Sequence, residues 1–173
     1  SDPASATVVV PAGVGSFTVT VSTIDDAELE AAESLVLTAG AVAATATVTD
    51  NDSQSVAAIS VEDLANSGAI PPDSSVVEGG TLRYIVTLNA AAPGVAEHAL
   101  QIGGTAGAGD IGALVFSDGV AWKNGDPATG IVVVPAGVTS FGITVPATDD
   151  SLIENAESVV LTLGGVSASG TIT

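Results

Sequence analysis

The sequence predicts an all-β fold, an antiparallel β-sandwich of immunoglobulin-like build, and three observations carry that expectation. Apolar and polar residues alternate with period two along several short runs, Gly and Pro fill the gaps between those runs, and no β-α-β spacing separates them. With 46% hydrophobic but only 3% aromatic residues, the core has to be built from Val, Ala, Leu and Ile.

Taken in chain order, Phe17, Val19 and Val21 point one way while Ser16, Thr18 and Thr20 point the other, which reads as a half-buried strand. Asp25 to Leu37 is rich in Ala, Glu and Leu and has the propensity of a capped helix. A related stretch, Asp149 to Leu161, carries Ser, Ile, Asn and adjacent valines instead, so both are expected to be an acidic loop leading into a strand. The same alternation returns in Leu82, Tyr84, Val86 and Leu88, in Phe141, Ile143 and Val145, and in Val159, Leu161 and Leu163. Turns are expected at Pro11-Ala12-Gly13, Glu78-Gly79-Gly80, Gly107 to Gly109, Asn124-Gly125 and Gly164-Gly165.

An internal duplication sets the domain frame. Asp2-Pro3-Ala4 and Val8-Val9-Val10-Pro11-Ala12-Gly13-Val14 recur as Asp126-Pro127-Ala128 and Val132-Val133-Val134-Pro135-Ala136-Gly137-Val138. The match continues without a gap to Thr49 and Thr173, with roughly 28 of 49 aligned positions identical. A period of about 124 residues is a whole domain, so the chain is expected to be a window of a tandem array. Residues 1–52 are expected to be the C-terminal half of one repeat, ending in an acidic linker, and 53–173 a nearly complete second repeat. The linker runs from Asp50 to Ser55. Half a sandwich leaves open strand edges, so the first repeat is expected to be completed either by a neighbouring chain through strand exchange or donation, or by a structural boundary offset from the repeat frame.

Charge narrows the function. Twenty Asp and Glu against two Lys and Arg give a net charge of -18, which excludes nucleic acid and anionic membranes as partners. Without Cys there is no disulfide, thiolate or zinc ribbon, and a single His leaves little for triad or transition-metal chemistry. No apolar run approaches the roughly 18 residues of a spanning helix, so no membrane insertion is expected. Paired carboxylates can serve glycoside hydrolysis, but that chemistry wants an aromatic-lined cleft that this composition does not supply, so no enzyme is expected.

The acids themselves cluster. Asp25, Asp26, Glu30 and Glu33 match Asp149, Asp150, Glu154 and Glu157 in the pattern Asp-Asp-x-x-x-Glu-x-x-Glu, while the residues between them vary. Converging carboxylates repel unless a cation lies among them, and with neither thiolate nor paired imidazole available the oxygen-seeking Ca2+ fits best. A solvated acidic loop is the plain alternative.

The order Val76-Val77-Glu78-Gly79-Gly80-Thr81-Leu82, Gly104-Thr105-Ala106 with Gly109-Asp110, and Asp149-Asp150 to Glu157 resembles the Calx-beta domain. That family includes the calcium-sensing domains of sodium-calcium exchangers and the extender repeats of large secreted bacterial RTX-type adhesins. Phrases such as Val134-Pro135-Ala136-Gly137-Val138 and Gly164-Gly165-Val166 are similar to those repeats. The resemblance implies calcium ligands at Asp110, Asp149, Asp150, Glu154 and Glu157, with Glu62 near the first strand and the Leu152 carbonyl contributing. For the first repeat it implies Asp50 and Asp52, from Asp50-Asn51-Asp52, beside Asp25, Asp26, Glu30 and Glu33. Ser151 and Ala27 stand where an exchanger domain carries a third Asp, which implies fewer ions or weaker binding. The expected affinity scale for extracellular modules is about 10⁻⁴ to 10⁻³ M.

The expectation is therefore an extracellular, bacterial cell-surface extender module whose neighbours are repeats of the same protein, stiffened by Ca2+ for adhesion or biofilm formation. Two alternatives stand beside it, a subunit of a filament assembled by strand exchange and a glycan- or ligand-binding module. Smaller signals are expected to be structural. Gly103 to Gly109 reads as a turn rather than a phosphate loop, His98 as a surface or edge-strand residue, Trp122 and Lys123 as a loop packed on the sandwich end, and Asn51-Asp52-Ser53 as a chance sequon.

Overall fold

A computed structural model describes residues 7–173. The Asp2-Pro3-Ala4 phrase that opens the first repeat copy lies outside them. The strands are β1 (Glu33–Ala39), β2 (Val42–Val48), β3 (Val56–Asp63), β4 (Ser75–Val76), β5 (Thr81–Leu88), β6 (Ala96–Gly104), β7 (Val115–Phe116), β8 (Ala121–Trp122), β9 (Ile131–Val134), β10 (Ser140–Pro146), β11 (Glu157–Leu163) and β12 (Val166–Ile172). Helical structure among the described residues is confined to three single 3₁₀ turns at Leu64–Asn66, Lys123–Gly125 and Pro127–Thr129. The fold is all-β, as expected.

Two sheets build the sandwich. One has the order β3-β5-β10-β7 and the other β4-β12-β11-β6-β9-β8, antiparallel throughout except where β4 runs parallel to β12. Their facing sides carry the alternating residues: Leu82, Tyr84 and Val86 of β5 with Phe141, Ile143 and Val145 of β10 meet Val132 and Val134 of β9 and Val159, Leu161 and Leu163 of β11. Each of these is essentially inaccessible to solvent. At about 1.5–3 kcal/mol per fully buried Val, Leu, Ile or Phe, this aliphatic layer is the main favourable term, and it needs few aromatics.

Tyr84 is the polar exception within that layer. Its hydroxyl donates to the Val159 carbonyl at 2.6 Å and accepts from the Gly170 N–H at 3.3 Å, tying the two sheets through their middle. Burial pushes its pKa up to about 12, so the phenol stays a neutral donor. Gly170 has to be glycine for this contact, because a Cβ there would stand 2.7 Å from a Leu82 methyl.

The first repeat copy behaves differently in its two halves. Hairpin β1–β2 forms with the register Glu33↔Val48 through Ala39↔Val42, and β11–β12 with Glu157↔Ile172 through Leu163↔Val166, the same pairs displaced by 124 positions. Asp25 to Ala32 is loop and β1 follows, so the helical propensity of that stretch is overridden. Residues 16–21, however, form no strand, and Phe17, Val19 and Val21 stand exposed, against the half-buried strand their alternation predicts. The reason lies in the second repeat. There the equivalent β10 is held between β5 and β7, and β9 between β6 and β8. All four partners precede β9 in the chain, and among the described residues 7–22 have no such partners. Alternation supplies a face to bury, but a ladder needs neighbours.

Two local expectations are also revised. His98 lies on interior strand β6 and is buried, with Nε2 3.3 Å from Gln54 Oε1, rather than at the surface. Trp122 is part of edge strand β8 and packs edge-on against Phe116, with ring centroids 5.2 Å apart.

Tyr84→Phe would remove the hydroxyl's bond to the Val159 carbonyl and its contact with the Gly170 N–H, and leave the ladder pair between those two residues in place. The expected cost is about 1–3 kcal/mol, read as a lower urea midpoint with an unchanged m-value.

Candidate metal centre

In the second repeat, three carboxylates converge. Oxygens of Asp110, Glu154 and Glu157 all lie within 4.8 Å of one another. Their convergence starts at Gly104, which ends β6 with φ of +113°, a conformation closed to residues with a Cβ. Immediately after it, the N–H groups of Thr105 and Ala106 donate to the Ser158 carbonyl at 3.0 and 3.1 Å, and the Ser158 N–H donates back to Thr105 Oγ1 at 2.8 Å. The 105–110 loop is thereby clamped onto the start of β11, one residue from Glu157. Asp110 then folds back to accept from the Gly107 N–H, while its carbonyl accepts from Thr148 N–H at 2.9 Å.

The neighbouring turns add further acids. Asp149 packs on the Glu78-Gly79-Gly80 turn, since a Cβ at Gly79 would lie 3.4 Å from the Asp149 Cβ. Asp150 accepts from the Leu152 N–H at 2.6 Å. Leu152, whose carbonyl is an expected ligand, is held at this corner through its N–H. Burial, followed by the charges of Asp110, Asp150 and Glu78, holds the Glu154 pKa above its ordinary value. Burial also raises Glu157, with Asp110, Glu154 and Glu78 acting in the same direction. Glu78 is a member of this field that sequence reasoning passed over as a turn residue. Its placement three residues before β5 opens is the signal it left.

In the first repeat, Asp25, Asp26, Glu30, Glu33, Asp50 and Asp52 line one cleft of about 210 Å³. All six line it, but no three of their carboxylates approach one another as closely as those of Asp110, Glu154 and Glu157 do. Asp50 is the organiser: it accepts from the Glu30 N–H at 2.8 Å and the Asp52 N–H at 2.9 Å, and those bonds hold its pKa low. Glu30 is raised chiefly by the Asp26 and Glu33 charges. Asp52 is raised by burial and then by Asp50, Asp25 and Asp26. The Glu28 N–H donates to Asp26 at 2.9 Å, the same bond that Leu152 makes to Asp150 at the sister positions.

Glu62, also expected as a ligand, lies apart from both groups of acids. It sits on β3 opposite Arg83 of β5, with the guanidinium 3.6 Å away, and accepts from Ser67 Oγ at 2.8 Å. Its charge is already answered. The only other basic side chain, Lys123, pairs with Glu97 at 2.7 Å. Both Lys and Arg residues of the chain are thus engaged away from the acidic groups, which offer a hard, oxygen-only donor set of the kind that suits Ca2+.

No family model matches the chain, and no curated protein does. Among solved structures, domains 4 and 5 of the S-layer protein SbsC are similar at 14% identity and a TM-score of 0.35, over 75% of this chain and 58% of that one. A longer SbsC structure, rSbsC(31-844), is similar at 16% identity and a TM-score of 0.34, over 78% of this chain and 15% of that one. This chain therefore spans less than two thirds of either. No helix among the described residues is long and apolar enough to cross a membrane.

Two measurements follow from the site. A carboxyl whose folded pKa is raised favours folding fully below its ordinary value of 4.5, and that contribution is lost as pH rises through the raised one. In chelator, the double variant Glu154→Gln/Glu157→Gln is therefore expected to melt above the parent at pH 7, with the gap closing as pH falls toward 4.5. Gly104→Ala would place a Cβ 2.1 Å from the Ser158 carbonyl oxygen. It is expected to lower the melting temperature and to weaken luminescent lanthanide binding together.

Proposed function

We propose that the protein is a calcium-binding, Calx-beta-like extender module of a secreted bacterial cell-surface adhesin, in which Ca2+ stiffens a string of β-sandwiches. The observation that carries the reading is the pair of acidic groups 124 residues apart, one lining a cleft and one a convergent trio, with every basic side chain of the chain paired elsewhere. Neutralisation at either group then has to come from a cation in solution. A site of carboxylate oxygens at domain ends binds such an ion by charge and ligand number rather than by a preformed cage.

The linker gives the ion a mechanical role. Asp50 and Asp52 belong to the connection between repeats, yet they line the same cleft as the Asp25–Glu33 loop. A divalent ion shared by loop and linker oxygens would convert a short swivel into a fixed joint. Beyond that joint the linker is already pinned: Gln54 Nε2 donates to the Ala90 and Val138 carbonyls at 2.8 and 3.1 Å, and the Ser55 N–H donates to Asn89 at 2.7 Å.

One observation favours a second reading. The apolar residues of 8–21, among them Val9 at 86% exposure, have no ladder partner among the described residues, as a strand offered to another chain would. Assembly by strand exchange accounts for that segment and leaves the acidic groups as they are.

Because an ion that binds only the folded state stabilises it by mass action, calcium at a hundredfold excess over Kd is worth about 2.7 kcal/mol per site. The melting temperature is expected to be higher in millimolar calcium than in chelator, and scattering from the chain is expected to show a narrower spread of maximum dimensions with calcium. Equal melting in both buffers sinks the calcium reading. A dimer or larger species in the same scattering experiment would favour strand exchange.

A further inference from the structure

The two copies of the acidic loop share an apolar position but not its surroundings. Leu29 in the first copy is half-buried. With Glu30 and Ala32 it lines one side of a cleft of about 370 Å³, and the other side is the Ala92-Pro93-Gly94-Val95 turn that joins β5 to β6 in the following repeat. The sister of Leu29 is Ile153, which is fully exposed at 103%, and the sister of Ala32 is Ala156.

We infer that Ile153, with Ala156, is a docking seat for the turn equivalent to Ala92–Val95 in a further copy of this repeat. Apolar character is kept at both sister positions while two of their four flanking residues change, Glu28 becoming Leu152 and Ala31 becoming Asn155. An isoleucine left wholly in water forgoes the stabilisation that burial of its side chain would return. The occupant is the one the chain itself places beside this loop once already.

The chemistry of the turn suits the seat. From Asn89 to Val95 it carries no charge, so it approaches a strongly acidic loop without adding repulsion. It is also held in shape before it docks: the Ala92 carbonyl accepts from the Gly137 N–H at 3.0 Å and the Ala90 carbonyl from Gln54 at 2.8 Å. A preordered turn loses little entropy on contact. Because loop and turn are different surfaces of the same unit, the contact is head-to-tail and propagates as an open array instead of closing into a dimer. The inference takes its occupant from the extender reading, but the contact itself is apolar and requires no ion.

The test lengthens the chain by repeating residues 50–173 after Thr173, which occupies the place of Thr49 in the repeat frame. The protein has no Cys, so nitroxide labels can be set on introduced cysteines at exposed strand positions. One pair, Thr45→Cys with Ala99→Cys, spans the existing junction. The other, Ser169→Cys with Ala99→Cys in the added copy, spans the new one. In chelator, both pairs are expected to give a single narrow distance distribution with the same mean. Ile153→Asp is expected to abolish the narrow peak of the second pair only, Ile153→Ser, which adds no charge, to do the same, and Leu29→Asp to abolish that of the first. A broad second pair in the parent, or a narrow peak that survives both Ile153 variants, overturns the seat. So does a first pair indifferent to Leu29→Asp. The calcium response of the melting temperature, measured on the same chains, judges the cation separately.

Discussion

A β-strand is held by neighbours on either side and by a sheet in front of it, and this requirement explains why nearly the same sequence takes two forms in one molecule. Phe141, Ile143 and Val145 lie at the centre of the sandwich because β5 and β7 flank them and β11 faces them. Phe17, Val19 and Val21 have the same pattern and are exposed. Hairpin β1–β2 forms in both copies because its two strands are partners to each other across a two-residue turn, so its main ladder is local. What the duplicated sequence encodes on its own is a hairpin; the remainder of the sandwich is encoded jointly with the residues that precede it in the repeat.

On this scaffold the acids sit where strands begin and end. Glu157 and Glu33 each open the first strand of a hairpin, and Asp110 lies in a loop clamped by the Thr105–Ser158 exchange. Backbone geometry therefore brings carboxylates together that electrostatics would separate: the Asp26 and Glu33 charges raise the Glu30 pKa, and at Asp52, Glu154 and Glu157 neighbouring charges add to a rise led by desolvation. A chain with only two basic side chains has no internal means of resolving it. The ion pair of Glu62 with Arg83 shows the same logic satisfied locally.

Much of this was legible in the sequence because the signals were short-range. Alternation placed Leu82, Tyr84, Val86 and Leu88 in the core, and comparison of Asp25–Leu37 with its sister stretch overruled a helical propensity that a single copy would have suggested. The misreadings share a cause. Whether residues 16–21 form a strand depends on partners elsewhere. His98 is buried on a strand held between β11 and β9, and meets Gln54, 44 residues earlier, which local pattern does not reveal. The resemblance implies a ligand at Glu62, and its opposition to Arg83 is a matter of strand register that composition does not reveal. Glu78 was read only as part of a turn, though folding sets its charge beside Glu154 and Glu157.

The parallel contact of β12 with β4 bears on how such a unit carries load. Thr171 and Ile172 pair with Ser75 and Val76, and the Thr173 N–H donates to the Val76 carbonyl at 2.8 Å. A pull that reaches Ser75 from one end and Thr173 from the other would shear β12 lengthwise along β4, because the strands point the same way and the force enters one at its start and the other at its finish. Those bonds are then strained side by side and must yield together, whereas a hairpin pulled from its open end would unzip one rung after another. A short parallel seam at the end of the unit thus places tensile resistance where the next link in a chain of such units would pull.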